Sequence, residues 1–216
     1  MVESEEVEAM TLFTEDMVHK ARFDNEFSTY QYRTSDTAVY PNEVALHYLA
    51  LGIFGECGEI ANKVKKLLRG DYEGKGVDAH HKFVDGIIDE AGDVMWYCAQ
   101  LLLKTNVDFG NLSKYETFED YSTSQKKLAN TYTSGPAEVV LQLGRSVGYL
   151  SDIIGGNGAL SDEYIGDVTA IVMSITQSIC LLALVLDRPF TSVFTLNLDK
   201  LKERSSNNSI KGDQRG

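Results

Sequence analysis

Four carboxylates stand where their spacing invites chemistry. Glu56 and Glu59 lie three residues apart in Gly55-Glu56-Cys57-Gly58-Glu59, and Glu90 and Asp93 are equally spaced in Asp89-Glu90-Ala91-Gly92-Asp93. On a helix, that spacing makes each pair neighbours on one face. Two such pairs turned toward each other form an oxygen-rich cage. Hard divalent cations such as Mg²⁺, with Mn²⁺ as a substitute, prefer such a cage.

The elements that must carry these groups are two long helices. In the first, Leu46, Leu49, Ile53, Ile60, Val64 and Leu67 recur at helical period, and Glu56 falls on that apolar stripe. In the second, Phe83, Ile87, Val94 and Cys98 form the stripe, and Glu90 falls on it. A carboxylate facing a core is costly unless it is paired, hydrogen-bonded or bound to metal. The competing reading makes all four ordinary solvated helix charges.

Composition narrows the partners. A chain of 216 residues, 43% hydrophobic and 24% charged, is enough for one good-sized globular domain or two small ones. Its formal net charge of −12 disfavours nucleic-acid polymers and anionic membranes. Cys57, Cys98 and Cys180 lie in apolar runs and fit buried free thiols of a reducing compartment. No zinc spacing links the cysteines to His19, His47, His80 or His81. The N-terminus shows no signal-peptide core, and the apolar run Ile179 to Leu186 is too short to span a bilayer. A cytoplasmic protein is expected.

The chain reads as all-α. Residues 1–24 form an acidic helix or tail with Val7, Met10, Leu12, Phe13 and Met17 on its apolar side, and residues 25–39 a helix ending before Tyr40-Pro41. Asn42 is the expected N-cap of a helix from Glu43 to about Leu68, closed by Arg69-Gly70. A glycine-rich loop over 70–79 lacks the phosphate-loop motif. Helices follow from about His80 to Lys104, across a polar, surface-exposed stretch to Tyr132, and from Pro136 through Ile154. Two more run from Ser161 through Val185 and from Pro189 to about Arg204.

A weak internal repeat underlies this layout. A shift of 89 residues aligns Phe54 with Leu143 and Ile60 with Tyr149; a shift of 81 aligns Ile87 with Val168 and Cys98 with Ile179. In that register Glu56 meets Arg145, Glu59 meets Gly148, Glu90 meets Ile171 and Asp93 meets Ser174. The second half, residues 111–205, keeps the apolar pattern and none of the acids. Apolar periodicity shared by any two helix pairs would give a similar alignment.

The double acidic motif with Val94, Trp96 and Tyr97 resembles the MazG-like all-α nucleoside triphosphate pyrophosphohydrolases. Supporting pieces are Tyr30-Gln31 with Thr37 to Pro41, the basic run Lys63, Lys65, Lys66 and Arg69, and Asn197, Lys200 and Arg204 with the trailing Gly212 to Arg215. The likeness covers about residues 28–108, with a weaker echo at 196–216. It implies a four-helix-bundle-type fold, usually oligomeric, with the catalytic half at 25–110 and a tail at 206–216. It also implies Mg²⁺-dependent hydrolysis of (d)NTPs to monophosphate and pyrophosphate. By residue, Glu56, Glu59, Glu90 and Asp93 match the metal-binding and catalytic positions. Gly55 departs from the family, which often has a further glutamate there, and the gap between the motifs is longer than usual.

Physical chemistry fits that implication. Phosphoanhydride cleavage needs charge neutralisation and an activated water, and a carboxylate left free of metal can take the water's proton. Lys63, Lys66 and Arg69 are placed to meet phosphates, or else complement the helix dipole. Tyr30, Trp96 and Tyr97 offer stacking faces or core packing, and Gln31 joins the substrate set. Asn197, Lys200 and Arg204 close over phosphates or decorate the last helix. One working and one degenerate hairpin per chain would let a homodimer imitate a tetramer of hairpins. The divergent second half has a viral character, which would place the protein in a host cytoplasm. A di-iron carboxylate bundle is disfavoured because Glu59 and Asp93 stand where its histidines would be. A degenerate homologue that binds nucleotide or protein without turnover is the remaining rival.

Overall fold

A computed structural model describes residues 24–132, 135–156 and 162–206. The expected N-terminal acidic helix, Asn157 and Gly158 of the second glycine-rich loop, and the Gly212 to Arg215 tail lie outside the described residues. Among the described residues there are eight α-helices and no strand. They are α1 (Glu26–Thr34), α2 (Ala45–Leu68), α3 (Val77–Lys104), α4 (Phe109–Leu112), α5 (Phe118–Ala129), α6 (Pro136–Gly156), α7 (Asp162–Val185) and α8 (Phe190–Ser206).

Four long helices form a closed ring of contacts. The hairpin α2/α3 packs on the hairpin α6/α7, with α2 against α6 and α3 against α7. Helices α1 and α8 then cover α3 from outside the ring, and α5 lies across α7 and α8. Helix α3 is therefore buried around most of its girth, from Phe83 and Val84 to Leu101 and Leu102. Its sequence allows this because small residues, Ala91, Gly92 and Ala99, alternate with large apolar ones. The expected division at 110/111 falls inside the short helix α4.

The structure corrects parts of the sequence reading. Asn42 does not cap α2: residues Asn42–Val44 form a 3₁₀ turn, Val44 is the N-cap, and the Asn42 side chain instead accepts from Lys104 Nζ at 2.7 Å. Helix α3 starts at Val77, so three residues of the expected loop are helical. The polar stretch before Tyr132 is not simply exposed. Phe118 and Tyr121 turn inward, and Phe118 stacks on Phe194 with ring centroids 3.7 Å apart. Phe27, Phe109, Phe190 and Phe194 complete this aromatic cluster, which fastens α1, α5 and α8 together.

Two helices are long and apolar enough to cross a membrane by length and composition, Asn42–Leu68 and Tyr164–Val185. The short apolar run read from sequence thus lies in a longer apolar helix. Over half of that helix's most apolar window is buried within the protein. Cys57, Cys98 and Cys180 are all free and buried, and burial pushes the Cys57 and Cys180 thiols up to about 12.

Candidate metal centre

The α2/α3 hairpin brings three of the four expected carboxylates together. One oxygen each from Glu56, Glu90 and Asp93 lie within 4.8 Å of one another. Glu59 is exposed and stands outside this group. Three residues advance a helix by about 300°, so Glu59 sits roughly 60° round from Glu56, toward solvent. Glu90 and Asp93 are more enclosed, with side chains 12% and 15% exposed.

The trio is electrostatically loaded. Partial burial, reinforced by Asp93 and Glu90, lifts the Glu56 carboxyl from its ordinary 4.5 to about 7, against the opposing pull of Lys200. Burial also raises Asp93, with Lys200 opposing and Asp89 and Glu90 adding. Both directions follow from taking like charges out of water in one place.

Two lysines partly relieve the load. Lys63 Nζ lies 3.0 Å from a Glu90 oxygen and donates to the Gly86 carbonyl at 3.0 Å. Lys200 Nζ, arriving from α8, lies 2.6 Å from Asp93 Oδ2 and 2.8 Å from Asp89 Oδ1. Asn197, one turn earlier on α8, donates from Nδ2 to Asp93 Oδ1 at 2.8 Å and accepts from the Tyr30 hydroxyl at 2.9 Å. Asp93 is thus held at both oxygens by α8, and Asn197 is oriented in turn by α1.

That approach of α8 depends on Gly92. A Cβ there would sit 2.7 Å from the Val193 carbonyl oxygen and 2.8 Å from Asn197 Cβ. The glycine between Glu90 and Asp93 is therefore what lets α8 reach the acids.

Several residues assigned from sequence take other work. Gln31 is buried and donates to the Ala99 and Val107 carbonyls at 3.3 and 2.9 Å, while its oxygen accepts from the Phe109 amide at 2.9 Å. It satisfies backbone groups where α1, α3 and α4 meet, and does not face a substrate. Tyr30 is buried against Phe194, which removes it as a stacking face. Asn197 is 1% exposed and acts on Asp93, not on a ligand directly. Arg69 is exposed at the end of α2 and folds back on Asp71, Nε to Oδ1 at 2.7 Å. Lys66 sits in the last turn of α2, beyond Lys63, and Arg204 lies in the exposed last turns of α8.

Trp96 and Tyr97 remain beside the acids as members of an aromatic wall. Tyr40 stacks on Tyr48 at 5.4 Å, Tyr48 meets Tyr97 at 6.3 Å, and Trp96 and Tyr97 are perpendicular at 5.0 Å. The Trp96 indole N–H donates to Thr37 Oγ1 at 3.0 Å. Tyr97 follows Asp93 by four residues on α3 and so shares its face; burial raises its phenol, and Tyr48, Glu56 and Asp93 add to the rise. Asp89 was missed as a site residue, although its position four before Asp93 puts it on the same face.

In the second hairpin, the counterpart of Glu56, Arg145, is exposed, and Ser174 shares a hydroxyl contact with Ser146 at 2.9 Å. Neutral hydroxyls bridge α6 and α7 there.

Comparison with known proteins adds kinship. The chain is 40% identical over 107 residues to the gene 37 protein of Mycobacterium phage L5, an alignment spanning 44% of this chain and 90% of the phage protein. No family model matches the sequence. No solved structure matches the chain.

Proposed function

The chain belongs to the family of that phage gene 37 protein, and we propose that it is a Mg²⁺-dependent nucleoside triphosphate pyrophosphohydrolase. One observation carries the reading: the convergence of Glu56, Glu90 and Asp93 on one point, with Glu56 held to a pKa of about 7. Three enclosed carboxylates with too few cations are a donor set suited to a hard divalent ion. Mg²⁺ is the expected ion and Mn²⁺ its substitute. The resemblance of the double acidic motif to MazG-like enzymes supplies the substrate class, (d)NTPs cleaved to monophosphate and pyrophosphate.

Glu56, Glu90 and Asp93 would hold the cation. Bound there, it supplies neutralisation of polyphosphate charge and a more acidic water. The chain's own groups do the rest. Asn197 fixes the Asp93 carboxylate through the Tyr30–Asn197 relay. Lys63 and Lys200, which lie against Glu90 and Asp93, would present their ammonium groups to phosphate oxygens at the same spot. A carboxylate oxygen of the trio left free of the cation would accept the proton of the attacking water. Trp96 and Tyr97 offer the adjacent wall to a base. Kinship with a phage protein supports a viral protein acting in the host cytoplasm.

A second reading, a nucleotide- or protein-binding homologue without turnover, draws support from the ion pairs Lys63–Glu90 and Lys200–Asp93, which already neutralise part of the trio. Incubation with each of the eight NTPs and dNTPs and Mg²⁺ separates the two. Pyrophosphate release from at least one nucleotide is expected, with loss of release in Glu90→Gln. Folded protein that gives no pyrophosphate from any of them would favour the binding reading.

A further inference from the structure

The two lysines at the acidic centre are not equivalent. Lys63 Nζ meets one carboxylate, Glu90 at 3.0 Å, and otherwise a backbone carbonyl, that of Gly86 at 3.0 Å. Lys200 Nζ meets two carboxylates, Asp93 Oδ2 at 2.6 Å and Asp89 Oδ1 at 2.8 Å. Asp89 and Asp93 lie one turn apart on α3 and share a face. They are the pair that a second divalent ion, beside the one held by the trio, would bridge. Such an ion needs carboxylate oxygens at about 2.0–2.6 Å, and the Lys200 ammonium already joins the two oxygens that would supply them.

Lys200 is also tethered. Its side chain is only 18% exposed. One turn earlier on α8, Asn197 donates to Asp93 at 2.8 Å and accepts from the buried Tyr30 hydroxyl at 2.9 Å. Withdrawing the ammonium would break two charge-assisted contacts while α8 stays pinned beside them. The local charges agree with one ion. Glu56, Asp89, Glu90 and Asp93 stand around Lys63 and Lys200, with Glu59 exposed outside the group. Four carboxylates against two ammonium groups leave two negative charges, which one divalent ion neutralises. A second ion would leave an enclosed excess of positive charge, which is costly to hold out of water.

We propose that Lys200 is a tethered stand-in for a second cation, so that the centre takes one divalent ion per chain. The inference rests on the metal reading of Glu56, Glu90 and Asp93. It gives Lys200 a role that contact with phosphate does not require, because the number of ions is set before any substrate arrives. Lys63, which meets a single acid, leaves no such pair behind when it is removed.

Counting bound ions tests it without any turnover. Mn²⁺ is titrated into the metal-free full chain at pH 8, above the Glu56 pKa of about 7, and free ion is followed by paramagnetic resonance. One ion per chain is expected in wild type and in Lys200→Arg, which keeps the positive charge. Two are expected in Lys200→Met, and also in Lys200→Gln, a milder change that retains a donor for Asp93. Metal-free Lys200→Met should melt below wild type, and saturating Mn²⁺ should raise its melting temperature by more than it raises that of wild type. Two ions in wild type would overturn the inference and leave the metal reading standing. A single ion in the folded Lys200→Met or Lys200→Gln protein would do the same. No bound ion in wild type would overturn both.

Discussion

Glu56 is the residue at which the account is most exposed to experiment. Its carboxyl is raised from 4.5 to about 7 by burial and by Asp93 and Glu90. A folded-state pKa above the unfolded value means the native protein binds the proton more tightly, so stability falls as pH rises between those two values and levels off above them. The raised Asp93 carboxyl acts in the same direction. Metal-free protein should therefore melt at a lower temperature at pH 8 than at pH 5. Glu56→Gln should flatten that dependence and melt higher than wild type at pH 8. Thermal melts across pH check this, and a variant melting below wild type at pH 8 would show that Glu56 is not strained by its neighbours. Glu90→Gln should keep the helical fold and lose turnover. Arg145→Ala, at the corresponding place in the second hairpin, should leave any turnover within about twofold, the ordinary outcome for an exposed residue far from such features.

At the scale of elements, the joint between α3 and α8 decides whether the acids are held in place. Gly92→Ala would drive a methyl into the Val193 carbonyl and Asn197. Overpacking of this kind should cost about 1–3 kcal/mol, read by denaturant unfolding, and should lower metal affinity because α8 can no longer hold Asp93. Tyr30→Phe removes the hydroxyl that Asn197 accepts from in a buried position. A buried acceptor left unsatisfied should cost about 1–3 kcal/mol, with the helices otherwise intact. These joints explain what the sequence did and did not disclose. The helices were legible because Pro41, Pro136 and Pro189 punctuate them and their apolar stripes are regular. The enclosure of Glu90 was legible because it interrupts such a stripe. Gln31 and Asn197 were not, because a polar residue type is silent about whether its partner is backbone, a neighbouring acid or a ligand. Helix α5 misled for the opposite reason: Phe118 and Tyr121 are too sparse to mark a buried face, yet they meet an aromatic cluster assembled from three distant segments. Asp89 could have been found from its spacing to Asp93 alone.

At the scale of the whole molecule, two hairpins share one core and only the first carries the clustered acids Glu56, Glu90 and Asp93. The second hairpin, with Ser146 and Ser174 at its centre, buttresses α2 through α6 and α3 through α7. All of this turns on the trio being a cation site and not a structural ion-pair network. Titration of Mn²⁺ into the metal-free protein, followed by the loss of the free-ion paramagnetic resonance signal, tests that point most directly. Saturable binding in the wild type, displaced by Mg²⁺ and abolished in Glu90→Gln, is the result the account predicts. A signal unchanged by the folded wild-type protein would contradict it.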